Sequence, residues 1–403
     1  LRIPANEPAG LTSVKNLGVY IQVPFCQAKC TYCNFSTGVF PRTLFEPYID
    51  SVCHEIRSHA ALYRAAGLAA WQDDSPEFRV DTVYVGGGTP SLLEPDLLAR
   101  LLRTIGESLP AAFEEVTLEA DPETITTDKA RAWRAAGFNR ISLGVQSFHD
   151  AELRPAGRQH RRADIFTAVE RLHAAGLGNL SFDLIAGLPH QTAESWHSSV
   201  EELLQLAPRH VSIYLLELDE GSRLGRESLA GGRRYSVPAL PGDDQTAASY
   251  EWACERLASR GYEHYEISNW ALPGFRSRHN LKYWRREPYL GFGAGAHSFD
   301  GAERWANAHD PAAYVAALAA GQLALDEREA VDGKQALSEE LFLGLRQLDG
   351  IDLAAIESRY RIDLGERVQP LVDEGLLERF DGRLRLAPDR VTVSNEVFVR
   401  LLD

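Results

Sequence analysis

The chain reads as an α/β fold: an open, partial (β/α)6 barrel followed by a smaller α+β C-terminal domain whose element order resembles a winged helix. Six short β-rich runs predict the barrel, at 18–25, 82–88, 115–120, 140–147, 179–185 and 210–218, each followed by a helical stretch. Strands that alternate with helices pair in parallel. The stretches 94–109, 126–136, 162–175 and 193–206 carry apolar residues at helical spacing, and Gly137 and Gly176 stand where helices need a left-handed residue to stop. Six units are fewer than the eight that close a full barrel, so the mouth should be wide, with ligands at the carboxyl ends of the strands. The C-terminal expectation rests on the order helix, helix, helix, β-hairpin around Asp381-Gly382, helix.

Composition sets the class. A chain of 403 residues with 44% hydrophobic content can build one large core and one smaller one. Its net charge of -15 repels phosphate backbones and anionic lipid, so nucleic acid is not an expected partner. No apolar run is long enough for a membrane span and no signal-peptide pattern is visible, so the protein is expected to be cytoplasmic. Five cysteines, three of them within eight residues, suit a metal site in a reducing compartment rather than a disulfide scaffold. After residue 218 the pattern changes to a Gly-, Arg- and Pro-rich stretch at 220–242, then a helix near 243–260. The expected division is a barrel at 15–220, an intervening extension at 221–335 and the C-terminal module at 336–403. For that module a packing or partner-docking role is expected ahead of DNA binding.

The first strand runs into Pro24-Phe25-Cys26-Gln27-Ala28-Lys29-Cys30-Thr31-Tyr32-Cys33. Cys26, Cys30 and Cys33 therefore leave the strand's carboxyl end on one tight loop. Three thiolates saturate three irons of a 4Fe-4S cube and leave the fourth open to a small-molecule chelate. A zinc site of three Cys and one His is the alternative, weakened by the lack of a second Cys-x-x-Cys ribbon. Strand two ends in Val85-Gly86-Gly87-Gly88-Thr89-Pro90-Ser91, where bare backbone can approach a ligand closely. Strand three ends in Leu118-Glu119-Ala120-Asp121-Pro122, and Glu119 could accept bonds from a ribose diol. Gln146, Arg158 and Asp183 come from consecutive units. Arg158 could clasp a carboxylate while Asp183 receives donors or holds Arg158, or the three could brace the barrel mouth. Cys53, beside Ile49, Val52 and Ile56, and Cys254, near Trp252 and Leu257, read as buried apolar thiols without chemistry.

On these residues the chain resembles the radical S-adenosylmethionine (SAM) superfamily, and within it the group of HemW-like heme chaperones and HemN-like oxygen-independent coproporphyrinogen III dehydrogenases. The resemblance implies that the open iron binds the amino and carboxylate groups of SAM. It implies reductive cleavage of SAM, with an electron donor such as flavodoxin or ferredoxin. It carries the contact with the methionyl amino group onto Gly87, Gly88 and Thr89, and a SAM-contacting acid onto Glu119. Gln146, Arg158 and Asp183 match residues that contact a second SAM in the dehydrogenases. Tyr20 and Tyr32 match further SAM contacts, Tyr32 packing on adenine, although Tyr20 also reads as a strand aromatic inside the barrel.

The dehydrogenase pattern has a further cysteine two residues after the third, where this chain has Phe35, as HemW-like proteins do. The 25 residues before Cys26 also look too few for the dehydrogenases' amino-terminal segment. Arg278-His279-Asn280-Leu281-Lys282-Tyr283-Trp284 and the run 291–297 match the HemW-like group. The resemblance thus implies a protein that binds heme and passes it to an acceptor protein, with a coproporphyrinogen dehydrogenase or related radical SAM enzyme as the alternative. Heme iron takes an axial imidazole, and the candidates are His279, beside the aromatic pair Tyr283 and Trp284, and His297, which ends a glycine-rich run. Both histidines read equally well as polar residues fixing the interface between the barrel and the second domain.

Overall fold

The computed structural model describes residues 15–68 and 78–402. Six parallel strands lie side by side in chain order: β1 (Lys15–Val23), β2 (Phe78–Gly87), β3 (Ala111–Ala120), β4 (Arg140–Gln146), β5 (Leu180–Ala186) and β6 (His210–Leu215). All six were legible because each contains at least three consecutive buried residues, mostly apolar, so that both faces are covered there as in a parallel sheet. The connecting helices are α1 (Phe45–Ala65), α2 (Pro95–Ser108), α3 (Thr127–Ala136), α4 (Asp150–Leu153), α5 (Arg162–Ala174) and α6 (Ala193–Leu206). In α2 the buried positions Leu98, Leu101, Leu102 and Ile105 recur at three and four residues, giving one apolar face toward the sheet. Gly137 stops α3 in the left-handed region at φ 111°.

Beyond β6 the chain forms α7 (Arg223–Leu229) and α8 (Asp243–Ala258), then adds strands to both edges of the same sheet. β7 (Glu263–Glu266) and β8 (Asn269–Ala271) extend it past β6, with β8 antiparallel to β6. The chain then crosses through α9 (Arg278–Trp284) to β9 (Tyr289–Phe292), which pairs in parallel with β1 from Gly18↔Tyr289 to Ile21↔Phe292. β10 (His297–Phe299), β11 (Glu303–Asn307) and, after α10 (Pro311–Ala319), β12 (Leu325–Ala330) continue that edge in antiparallel. The turn between β9 and β10 explains the glycine run. A Cβ at Gly291 would lie 2.1 Å from the His297 carbonyl oxygen, so no larger residue fits.

Two buried polar knots fix these additions. Glu55 of α1 is fully buried and accepts from Asn307 Nδ2 (2.7 Å), Gly293 N (3.1 Å) and Tyr314 Oη (2.6 Å), tying α1 to β11, the β9–β10 turn and α10. At the amino end of the barrel α9 enters as a plug. Arg278 N and His279 N donate to Glu115 at 3.1 and 3.0 Å, and Lys282 Nζ pairs with buried Asp81 at 2.9 Å.

The remaining chain is α11 (Gly333–Leu345), α12 (Leu353–Tyr360), α13 (Gly365–Asp373), the hairpin β13 (Leu377–Phe380) and β14 (Arg383–Leu386), and α14 (Ser394–Leu402). This is the expected order. Asp381 and Gly382, at φ 49° and 74°, make the two-residue turn that hairpin twist favours. The module has its own core around Leu341, Leu345, Leu371, Leu384 and Val397. It is pinned to the β7 edge: Ile267 N donates to the Arg346 carbonyl at 3.1 Å, and Arg346 pairs at 2.8 Å with fully buried Glu266.

Candidate functional site

A cleft of about 520 Å³ opens at the carboxyl ends of the parallel strands. Cys26, Cys30 and Cys33 line one wall. Their loop is closed at its base, because Cys26 N donates to the Gly38 carbonyl (2.8 Å) and Gly38 N to the Pro24 carbonyl (2.9 Å). It is held from outside as well. Thr31 N donates to the Ala156 carbonyl at 2.9 Å, Leu224 N to the Thr31 carbonyl at 2.8 Å, and Asn34 Nδ2 to Asp219 Oδ2 at 2.6 Å. Among the described residues no three His, Cys, Asp or Glu side chains converge closely enough to hold a single ion. The three half-buried thiols instead lie along one wall. Burial pushes the Cys26 thiol up to about 11, so it carries its proton until a metal displaces it.

The glycine loop faces these thiols. Gly88 N donates to the Val23 carbonyl at 2.8 Å and Thr89 N to the Phe25 carbonyl at 2.7 Å. A Cβ at Gly88 would lie 2.5 Å from the Phe25 oxygen and 3.0 Å from Cys26 Sγ, so the space beside the thiol exists only for glycine. Gly87 is fixed by Glu119, whose Oε2 accepts from Gly87 N at 2.8 Å while Oε1 accepts from Tyr84 Oη at 3.0 Å. Burial raises the Glu119 carboxyl to about 7 in spite of both donors. Glu119 therefore positions the loop from below, and it offers a ligand only the lone pairs these bonds leave.

Arg158 stands beside the thiols. Its Nη1 donates to Cys30 Sγ at 3.5 Å, and Nη2 to the Gly144 carbonyl at 2.9 Å and to Asp121 Oδ1. Asp121 Oδ2 in turn accepts from Thr89 Oγ1 at 3.0 Å. Of the two roles expected for Asp183 the fold makes the first, since it accepts from Ser142 Oγ at 3.1 Å, while Asp121 is the carboxylate that holds the Arg158 guanidinium. The reason is placement, since Arg158 and Asp121 both meet the cleft beside Gly144. Burial raises the Asp183 carboxyl to about 6. Arg158 Nε and Gln146 Oε1, on two residues that line the cleft, are buried with no hydrogen-bond partner.

Of the residues singled out in the sequence, Tyr32, Gly87, Gly88, Thr89, Glu119, Gln146, Arg158 and Asp183 line this cleft together with the three cysteines. Tyr32 packs against the buried cluster of Ala156, Ile185 and Leu188 at the end of β5. Tyr20 stays inside the barrel, donating to Gln22 Oε1 at 2.7 Å with its ring 6.1 Å from that of Tyr84. Asp121 was missed as a site residue; its only signal was a place at the end of strand three, where Asp-Pro reads as a turn. Also missed was the share of the C-terminal module, whose Val391, Thr392, Ser394 and Asn395 line the cleft along with Tyr214 and Leu215.

Comparison with known proteins decides the family. The Radical SAM superfamily matches residues 20–203 and the HemN C-terminal domain matches 331–389. The heme chaperone HemW of Lactococcus lactis subsp. lactis is 34% identical over 95% of this chain and 96% of its own length. That of Bacillus subtilis is 31% identical over 94% and 97%. The chain belongs to the HemW family of radical SAM proteins. Its cofactors are accordingly a 4Fe-4S cluster and SAM. Coproporphyrinogen III oxidase (HemN) from Escherichia coli superposes with a TM-score of 0.79 over 98% of this chain and 91% of that one, at 22% identity, a likeness of fold.

The two HemW-type signature segments lie away from the cleft. His279 of α9 is 1% exposed, with Nδ1 hydrogen-bonded to Thr82 Oγ1 and Nε2 to Tyr283 Oη, both at 2.9 Å. Burial and nearby Lys282 lower its pKa to about 3, so it is a neutral imidazole with both nitrogens engaged. His297 lies on β10, exposed, in register with Ala306. Neither lines the cleft. No helix among the described residues is long and apolar enough to cross a membrane.

Proposed function

We propose that this chain is a cytoplasmic heme chaperone that binds heme and passes it to an acceptor protein, with its cluster and SAM serving that transfer. The observation that carries the reading is identity above 30% over nearly the whole length of two proteins named as heme chaperones. Soft thiolate donors on one wall fit an iron-sulfur cube, and Gly88 keeps the space beside Cys26 clear. Cys26, Cys30 and Cys33 would each hold one iron, leaving the fourth for the SAM chelate. When bound, the cluster supplies the electron that cleaves SAM, which a flavodoxin or ferredoxin would restore.

The chain's own groups would do the rest. Thr89 and Asp121 hold Arg158, which sets its positive charge beside Cys30 at the cleft, where it would draw a carboxylate. Gly87 and Gly88 let backbone approach the methionyl amino group, with Glu119 keeping the loop in place. Tyr32 offers a face for adenine. Gln146 and Asp183 supply an acceptor and a carboxyl deeper in the same wall. Of the two histidines, His297 has the accessible ring and is the first axial ligand to test.

The fold likeness to a coproporphyrinogen oxidase keeps a dehydrogenase as the second reading, and Phe35, where the dehydrogenase pattern has cysteine, weighs against it. Anaerobically reconstituted protein is offered heme and coproporphyrinogen III separately. The chaperone retains heme, with a Soret band, and forms no vinyl groups. Production of protoporphyrinogen overturns the proposal.

A further inference from the structure

Behind the pair of Asp121 and Arg158 lies a second rung of the same spacing. Asp121 and Glu123 flank Pro122 in the turn after β3, and Arg158 and His160 flank Gln159 in the loop before α5. The fold therefore sets Arg158 against Asp121 and His160 against Glu123. Both members of the loop are tied to the end of β4, Arg158 Nη2 donating to the Gly144 carbonyl at 2.9 Å and His160 Nε2 to the Val145 carbonyl at 3.0 Å. His160 is 2% exposed, and neither it nor Glu123 lines the cleft.

A carbonyl only accepts, so His160 Nε2 carries a hydrogen, and a neutral ring then presents a bare Nδ1. Nδ1 faces Glu123 Oε2 at 3.7 Å, and both atoms are buried with no hydrogen-bond partner among the described residues. Two buried lone pairs turned toward each other stay unsatisfied, and one proton between them satisfies both. The gap is about 1 Å longer than a direct bond, which a turn of the carboxyl about its last, broadly held torsion closes. Burial and the neighbouring Asp121 carboxylate push the Glu123 carboxyl up to about 7, while burial and the Arg158 cation bring the imidazole down to about 4. The proton therefore belongs to Glu123. We propose that Glu123 and His160 share one proton behind the cleft wall and act as a positioning pair for Arg158, holding its loop on β4 without setting a second carboxylate against its charge. The inference rests on the reading of Arg158 as the group that draws the SAM carboxylate. Ionised Glu123 would add an anion beside a guanidinium that Asp121 already pairs with, and so oppose that draw. Also near Glu123 is Asp164, whose Oδ2 accepts from Arg161 N at 2.7 Å, and Arg171 is bound to the Ile125 carbonyl at the end of the same turn. The substitutions below leave both in place.

The test measures SAM affinity by isothermal titration of full-length, anaerobically reconstituted protein at about pH 6 and about pH 8.5, on either side of the Glu123 titration. Glu123→Gln keeps a neutral donor for Nδ1. It should match wild type at the lower pH and bind SAM about threefold or more tightly than wild type at the higher, where wild type alone gains the anion. Titrations common to both proteins, Glu119 and Asp183 among them, cancel in that ratio. His160→Ala should weaken SAM binding about tenfold at the lower pH with iron content unchanged, whereas Gln159→Ala, at an exposed position of the same loop, should not. A ratio of wild type to Glu123→Gln that stays constant with pH overturns the proposal. Infrared difference spectra of these two proteins, recorded without SAM, read the proton directly. The carbonyl band of a protonated carboxyl should be present at the lower pH and fade at the higher, and its absence at the lower pH also overturns the proposal. Wild type that shows the band and holds its iron yet binds no SAM strikes the SAM reading instead and leaves the shared proton standing.

Discussion

Asp121 joins Thr89 of the glycine loop to Arg158, and through Arg158 to Cys30, so one carboxylate couples the glycine loop to the thiol side of the cleft. A charged hydrogen bond of this kind contributes about 1.5–3 kcal/mol, which corresponds to about ten- to a hundredfold in affinity when it orients a binding group. Asp121→Asn should therefore weaken SAM binding by roughly that factor while iron uptake survives, and Asp121→Glu should recover part of the loss. Isothermal titration of the two variants against SAM checks this. Unchanged affinity in Asp121→Asn would mean that the pair only braces the wall. Glu119 differs from Asp121 in that its two oxygens already hold Gly87 and Tyr84, so its removal acts on the loop as much as on the ligand.

α9 is the element whose role the sequence concealed. Seven residues with histidine, asparagine, lysine and tyrosine among them have no apolar face to read, yet the segment is drawn into the barrel because Glu115, Thr82 and Asp81 supply partners for its polar groups. Strands of three or four residues, such as β7 to β10, likewise carry too little alternation to be read. By contrast, the cluster loop and the six long strands were legible, since local spacing and continuous burial leave their mark within ten residues. The placement of α9 makes a prediction for His279. Losing a buried ring and its two hydrogen bonds should cost about 2–4 kcal/mol. His279→Ala should thus melt at lower temperature, and any loss of heme should follow the loss of fold. Weakened heme binding with an unchanged melting curve would make His279 a direct ligand instead.

The molecule holds together through buried charge as well as through its two cores, and Glu55 gives that a pH signature. Burial raises its carboxyl to about 7 from an ordinary 4.5, so between these values the folded chain binds more protons at this site than the unfolded chain does. Stability attributable to Glu55 then falls as pH rises through that window and is flat above it, by at most about 3 kcal/mol at 1.36 kcal/mol per pH unit. Denaturant titration of wild type and Glu55→Gln at about pH 5 and 7.5 isolates the effect. The advantage of wild type over the variant should shrink at the higher pH. An advantage that grows instead would show that the three donors, rather than burial, govern the site.

All of this hangs on three thiols serving one cluster with an open iron. The decisive measurement is EPR of the anaerobically reconstituted and reduced protein, with and without SAM. The account predicts about four irons per chain and a spectrum that changes on adding SAM. Both should be lost when Cys26, Cys30 or Cys33 is changed to Ala and kept in Cys53→Ala. Stoichiometric zinc without iron uptake, or an iron signal indifferent to SAM, would contradict it.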